Sequence, residues 1–411
     1  MEKITKQVLS NGLTLVHKQV EPLPIVGIRL FIKLGSINEP AELAGITHLT
    51  QILMLKGTKT RAAEQIAIDL ESVGGSIGSD STEDYSEVSV SITSKHFKKA
   101  VELLSDIVMN PVFPEQELEK EKSMTLAGIK SRKDTIFNVA VDLLMENLYG
   151  KHPYARLTVG TEESVNKITR DDIISWYKKN YGVSNMLVVV VGNVSLSDTK
   201  KYLEQYFSGL QKGIAVTRDI PVPELKESKV VVEPVKFEQA YLMYGYLAGE
   251  VSSADYTGLK IIDAYLGGGM SSELFQRLRE QAGLGYEVDA FYPSRMDKSR
   301  FVIYIGLDKS SIGTSKEKIT EILNEIKQKP LSTVRFNEIK TYLKGIYLLD
   351  HQTASRQAWY YGWWEMLNKG FEYDTKYTDE LDKITPDDIV RIANKYFTDK
   401  FVCVELQPVK K

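Results

Sequence analysis

The sequence predicts an α+β protein of two homologous domains, each a mixed, mainly antiparallel sheet packed with helices. Three observations predict it. The first is an internal repeat. Lys167-Ile168-Thr169-Arg170-Asp171-Asp172-Ile173, with Lys179-Asn180-Tyr181 and the apolar run 186–191, recurs 216 positions later as Lys383-Ile384-Thr385-Pro386-Asp387-Asp388-Ile389, Lys395-Tyr396-Phe397 and the run 401–406. Each copy reads as a threonine N-cap, acidic residues in the first turn, an amphipathic helix and a strand. The second is a pair of expected helices, 96–110 and 315–329, that stop at Pro111 and Pro330, 219 positions apart. Each follows an alternating strand, Val88-Ser89-Val90-Ser91-Ile92 and Phe301-Val302-Ile303-Tyr304-Ile305. The third is that each half opens on strands, 13–16 and 25–33 in the first, 229–232 and 240–246 in the second.

Between the copies lies a stretch with turn residues and little periodicity, flanked by Gly209-Leu210-Gln211-Lys212-Gly213 and Pro221-Val222-Pro223. It divides the chain into an N-terminal domain, 1–208, a linker, 209–228, and a C-terminal domain, 229–411. A chain of 411 residues exceeds what one core usually serves, which agrees with this division.

Composition narrows the function without naming it. Hydrophobic residues make up 43% and charged residues 26%, the balance of an ordinary globular protein. A net charge of −3 gives no electrostatic case for nucleic acid or an anionic membrane. The single cysteine, Cys403, excludes an internal disulfide and a cysteine-based metal cluster, and its setting in Phe401-Val402-Cys403-Val404 is that of a buried strand residue. No apolar run reaches the length of a membrane span and no signal peptide opens the chain, so the expectation is a soluble protein, cytoplasmic or, where a leader has been removed, periplasmic.

The segment Gly45-Ile46-Thr47-His48-Leu49-Thr50-Gln51-Ile52-Leu53-Met54-Leu55-Lys56-Gly57-Thr58 carries the chemistry. It resembles the active-site helix of the pitrilysin/insulinase family of zinc peptidases, whose inverted motif His-x-x-Glu-His lies between a glycine-rich lead-in and a Lys-Gly-Thr run. On a helix, positions 48, 51 and 52 share one face. Two imidazoles there hold a metal, and a carboxylate between them takes a proton from metal-bound water. Here Gln51 is a neutral amide of the glutamate's size and Ile52 offers no donor. The resemblance places an acidic pair, the source of the third ligand, where Ala127 and Gly128 stand. Only His48 remains, and a catalytic zinc needs three protein ligands. The expectation is therefore no metal and no cofactor in this chain.

The second half retains the other part of such a site. Gly267-Gly268-Gly269-Met270-Ser271-Ser272-Glu273-Leu274-Phe275-Gln276-Arg277-Leu278-Arg279-Glu280-Gln281-Ala282-Gly283-Leu284-Gly285-Tyr286 is similar to the family's C-terminal-domain signature, in which an arginine and a tyrosine seven residues apart reach the zinc site from the second domain. Arg279 and Tyr286 have that spacing. A guanidinium and a phenol are donors suited to a carbonyl oxygen and the oxyanion formed when water adds to it. On pattern alone the two read equally as a solvated helix arginine and a packed tyrosine. The triple glycine lacks the Lys-Ser/Thr of a phosphate loop and reads as a tight turn.

Loss of the zinc half with retention of the Arg/Tyr half implies, by the resemblance, a non-catalytic subunit that pairs with a homologous zinc-motif chain, the zinc being expected in that partner. The substrate class implied is a peptide or unfolded polypeptide bound as an added strand on an exposed sheet edge. The matching edge is Gly74-Gly75-Ser76-Ile77-Gly78-Ser79-Asp80-Ser81, in which Ile77, Gly78 and Ser79 are the candidate contacts. Two other readings stand beside this one, an inactive scaffold of the same fold and a peptide-binding homodimer. The aromatic helix with Trp359, Tyr360, Tyr361, Trp363 and Trp364 reads as core or subunit-interface packing.

Overall fold

A computed structural model describes residues 3–409. The first half of the sequence supplies strands β1 (Ile4–Val8), β2 (Thr14–Gln19), β3 (Ile25–Ile32), β4 (Ser76–Ser81), β5 (Ser86–Thr93) and β6 (Met186–Gly192). Its helices are α1 (Ile46–Met54), α2 (Ala63–Glu71), α3 (Phe97–Met109), α4 (Glu115–Arg132), α5 (Ile136–Tyr149), α6 (Glu162–Lys167), α7 (Arg170–Asn180) and α8 (Leu196–Tyr206). The second half supplies β7 (Lys229–Val235), β8 (Ala240–Ala248), β9 (Gly285–Phe291), β10 (Ser299–Leu307) and β11 (Val402–Pro408). Its helices are α9 (Tyr256–Gly267), α10 (Ile312–Gln328), α11 (Thr333–Asp350), α12 (Ala354–Met366), α13 (Tyr373–Lys383) and α14 (Pro386–Tyr396).

The first sheet has the order β1-β2-β6-β3-β5-β4 and the second β7-β11-β8-β10-β9. In each, one pair is parallel, β2 with β6 and β7 with β11, and the remaining pairs are antiparallel. The sheets are thus mixed and mainly antiparallel, and they repeat one another apart from the extra strand β1. The repeat extends to the caps. Thr169 accepts from the N–H of Asp172 and Thr385 from that of Asp388, and both aspartates return a carboxylate oxygen to the threonine N–H, at 2.9 and 3.0 Å. It extends to the long helices as well: α4 buries Leu118, Glu121, Thr125 and Ile129, and α11 buries Phe336, Ile339, Leu343 and Tyr347, each 218 positions later.

The chain forms two compact units, and they are not two continuous halves. The first comprises the described residues up to Lys130, Arg156–Asp219 and Asp350–Asp374, and the second Ser131–Ala155, Ile220–Leu349 and the chain from Thr375 onward. The division at 219/220 falls inside the segment expected as a linker. The continuous spans 1–208 and 229–411, by contrast, leave out an exchange of one segment each way. Helix α5, from the first half of the sequence, lies on the second sheet, and α12, from the second half, lies on the first.

Glycine makes both contacts close. A Cβ on Gly362 of α12 would stand 1.9 Å from the ring of Phe31, and one on Gly27 of β3 would stand 2.6 Å from the Cα of Ser355. In the second unit a Cβ on Gly245 of β8 would meet Leu144 of α5 at 2.6 Å. The first sheet is covered on both faces as a result. Leu30, Val188 and Val190 face a core shared with α1, α3 and α7, while Val16, Phe31 and Val189 pack with Ala358, Tyr361 and Met366 of α12. All seven residues of β6 are buried, which is why its sequence is an unbroken apolar run rather than an alternation. The aromatic helix is this α12: Tyr360, Tyr361 and Trp364 are buried, and Trp359 and Trp363 are half-buried against the core that holds Tyr361.

Gly362→Ala tests the contact directly. It forces the Phe31 ring out of its place and is expected to lower stability by about 1–3 kcal/mol, the usual cost of overpacking a well-filled core, read as a shift in urea or thermal midpoint. An unchanged midpoint would show that α12 does not pack this closely.

Candidate functional site

In the first unit the candidate site is built on α1. This helix begins at Gly45, whose φ of +93° is in the left-handed region, and a Cβ there would strike the carbonyl oxygen of Val159 at 2.4 Å. Gly160, φ +89°, makes the reciprocal approach to Ala44. Buried Glu39 accepts from the N–H groups of Gly45 and Thr47, both at 2.8 Å, and so satisfies two donors of the helix start. Burial pushes its carboxyl up to about 7, with those N–H groups and Arg156 acting in the opposite direction.

His48, Gln51 and Ile52 lie on this helix as their spacing predicts. Gln51 is 1% exposed and both ends of its amide are engaged: Nε2 donates to Tyr181 Oη at 3.0 Å, and Oε1 accepts from Ser79 Oγ at 2.6 Å. The residue at the general-base position is therefore a clamp between α1, the edge strand β4 and the end of α7. Ile52 is half-buried. His48 is partly buried, and desolvation lowers its pKa, with the charges of Asp80 and Glu121 opposing. Glu121 is held by Lys56 at 2.7 Å. Gly128 is exposed on α4 with open space where a Cβ would be. What the structure brings near His48 is thus Asp80 and Glu121 rather than a second imidazole. Among the described residues no group of three or more His, Cys, Asp or Glu side chains is arranged to hold a metal. One imidazole, an amide already used at both ends and an isoleucine do not make the donor set of a zinc site.

On the edge strand β4, Ile77 packs against the core, a Cβ on Gly78 would meet Ser89 Oγ at 3.2 Å, and Ser79 turns its hydroxyl to Gln51. β4 does form the outer edge of its sheet.

The second unit places Arg279 and Tyr286 together. Residues Phe275–Gln281 form a π-helical turn, a rare geometry that is frequent at functional sites. Gly283, φ +61°, ends it, with the N–H of Gly283 bonded to Arg279 O and that of Leu284 to Leu278 O. β9 then starts at Gly285, where a Cβ would stand 2.2 Å from Gly306 O beside an irregularity in the pairing with β10. This tight return brings Arg279 Nη1 to the carbonyl oxygen of Tyr286 at 3.0 Å, while the guanidinium lies 4.7 Å from the centre of the Phe275 ring. The Tyr286 side chain is 83% exposed. Both residues line one cleft of about 360 Å³ together with Gln239, Leu284 and Asp308. Neighbouring Arg277 differs: Glu273, Glu321 and Glu325 surround it, so it holds helices together.

The pattern of the sequence did not reveal Glu39, the Tyr181–Gln51–Ser79 chain or the π-turn. Nor did it reveal Lys260 and Asp263 on α9. Lys260 donates to Tyr292 O at 2.5 Å, and burial raises the Asp263 carboxyl to about 6. Acidic residues and tyrosines are common on helices, and nothing local marks these as buried. Among the described residues no helix is long and apolar enough to cross a membrane.

Two family models match the chain: "Insulinase (Peptidase family M16)" over residues 14–162 and "Peptidase M16 inactive domain" over residues 167–343. An uncharacterized zinc protease of Bacillus subtilis is 27% identical over 406 residues, covering 98% of each chain. One of Rickettsia felis is 26% identical over 408 residues, covering 95% of this chain and 94% of its own. Among solved structures, a peptidase M16 inactive domain from Pseudomonas fluorescens superposes with a TM-score of 0.92 at 24% identity, over 99% of this chain and 98% of that one. A protease from Helicobacter pylori gives 0.91 at 21% identity, over 99% and 100%. At these identities the two structures speak for the fold.

Two measurements check the first unit. Gln51→Leu leaves the hydroxyls of Tyr181 and Ser79 without their partner and is expected to cost about 1–3 kcal/mol in denaturant unfolding; a neutral result would contradict the clamp. Glu39 has a folded pKa of about 7 against its usual 4.5. Between those values the folded chain keeps a proton that the unfolded chain has lost, so this group's contribution is fully present below pH 4.5, is lost as pH rises to about 7 and is flat above. Stability profiles of wild type and Glu39→Gln should therefore converge or cross over that window by up to about 3 kcal/mol, and parallel profiles would refute it.

Proposed function

From the premise that this chain belongs to the M16 family of insulinase-type peptidases, we propose that it is the non-catalytic subunit of a heterodimeric zinc peptidase, lending Arg279 and Tyr286 to the metal site of a homologous partner. The observation that carries this reading is the contrast between the two units. At the motif helix the amide of Gln51 is consumed by Tyr181 and Ser79, whereas Arg279 and Tyr286 converge on an open cleft and the phenol remains exposed.

The chemistry follows from the two side chains. With one N–H committed to Tyr286 O, the guanidinium keeps further donors for a substrate carbonyl, and the Tyr286 phenol is a second donor. Held by the π-turn and the Gly283–Gly285 return, they present positive and hydrogen-bonding character to an oxygen that gains charge as water adds to the peptide carbon. The zinc that polarises that carbonyl is proposed to be the partner's, and no metal or other cofactor is proposed in this chain. The substrate is a peptide or unfolded polypeptide in an enclosed chamber, for which Ile77, Gly78 and Ser79 of β4 form part of the wall. The hydroxyl of Ser79 already serves Gln51, which favours a wall over a catalytic contact. The locked Gln51 equally suits a scaffold or a peptide-binding homodimer; the exposed Tyr286 beside Arg279 is what favours the heterodimer.

The test is to mix this chain with a homologue from the same source that has an intact His-x-x-Glu-His and to assay peptide cleavage. Each chain alone is expected to be inactive and the mixture active. Arg279→Ala combined with Tyr286→Phe is expected to lower kcat by roughly 10²–10³, the scale for losing oxyanion donors, with little change in KM. Metal-dependent cleavage by this chain alone, or a mixture indifferent to both substitutions, would overturn the assignment.

A further inference from the structure

We propose that Phe275 is a positioning residue for Arg279: its ring holds the guanidinium without taking a donor from it, and so leaves Nη2 for the oxygen that Arg279 serves. The catalytic part of this rests on the proposed function; the positioning of the guanidinium within this chain does not.

Residues 273–279 contain three pairs of side chains four positions apart, and each pair has a different chemistry. Glu273 lies 3.5 Å from Arg277, which Glu325 also holds at 2.8 Å. Leu274 and Leu278 are both fully buried and anchor the π-turn on the core. Phe275 and Arg279 are the next residue in each case and meet one another, with the guanidinium carbon 4.7 Å from the centre of the half-buried ring. Two arginines two positions apart are thus held in different ways, Arg277 by carboxylates and Arg279 by the face of a ring.

That difference decides what Arg279 can do. A carboxylate holds an arginine by accepting from the N–H groups at its edge, and it cancels the charge. An aromatic ring attracts the cation through the negative face of its π system and accepts none of those edge N–H groups. Nη1 gives one N–H to Tyr286 O at 3.0 Å, which sets the rotation of the guanidinium in its own plane. Nε lies 3.7 Å from Glu280 Oε1, a contact between two exposed side chains that is too long for a hydrogen bond. Among the described residues Nη2 has no partner, and Arg279 lines the same cleft of about 360 Å³ as Tyr286. Phe275 does not line that cleft, so its ring acts from behind the arginine and through it. A leucine at 275 keeps an apolar side chain on the turn but has no π face, and the guanidinium is then free to swing toward Glu280.

Two measurements test this. The first is peptide cleavage by the mixture with the zinc-motif homologue. Phe275→Leu is expected to lower kcat roughly three- to thirty-fold with KM little changed, the scale of a cation–π contact, and Phe275→Tyr to keep the wild-type kcat. In an Arg279→Ala background Phe275→Leu should add no further loss, a coupling that a merely structural role would not produce. Thermal melts establish that the variants are folded, with Phe275→Met as a second ringless side chain where leucine is not tolerated. The second measurement is a proton spectrum of this chain alone, grown with isotope-labelled arginine. The Arg279 Nε–H signal, identified by its loss in Arg279→Ala, is expected upfield in wild type and in Phe275→Tyr, through the ring current, and to move downfield in Phe275→Leu. An active mixture indifferent to Phe275→Leu, or a loss that persists undiminished without Arg279, overturns the positioning role and leaves the heterodimer intact. An inactive wild-type mixture removes the heterodimer and with it the catalytic role of the ring. The spectrum then still decides the geometry, and an Arg279 signal that Phe275→Leu leaves in place overturns it.

Discussion

The structure depends on the second cover of each sheet. Strands such as β6 are buried along their whole length, and a sheet of that kind needs helices on both faces. Neither half of the sequence keeps its own second cover. α5 departs to the second sheet and α12 to the first, and their contacts are close because Gly245, Gly27 and Gly362 allow backbone and ring to meet where any Cβ would collide. A cut at the linker would part the first sheet from α12 and the second from α5.

Within this shared plan, the two units offer different chemistry. The motif helix of the first unit is fixed from three sides, by Glu39 at its start, by the Gly45–Gly160 contact and by the Gln51 amide bridging Tyr181 and Ser79. An amide suits that bridge because it carries a donor at one end and an acceptor at the other, and in a buried setting each unmet polar group would be costly. The result is a helix held from three sides, in which the Gln51 amide has no proton to give or take. In the second unit the open region lies between α9 and β9. The π-turn, the left-handed Gly283 and the close start of β9 hold Arg279 against the Tyr286 carbonyl and leave the phenol in solvent, an arrangement that favours contact with another molecule.

Residues adjacent in the chain made much of this legible in advance. The duplication, the threonine caps at Thr169 and Thr385, the proline stops and the α+β class all rest on neighbours three or four positions apart or on alternation, which depend on local geometry. The same holds for the loss of donors at Gln51 and Ile52 and for the seven-residue spacing of Arg279 and Tyr286, because residue type and interval are enough to state them. By itself, then, the amino-acid order determined the repeat, the fold class and which side chains the motif helix can offer. Only the tertiary structure decided which sheet α5 and α12 cover, since an amphipathic pattern is the same whatever surface it meets. It alone decided that Glu39 is buried and that Gln51 is spent on Tyr181, 130 residues away. Those facts arise from contacts between segments far apart in the chain, and such contacts leave no periodic trace in either segment.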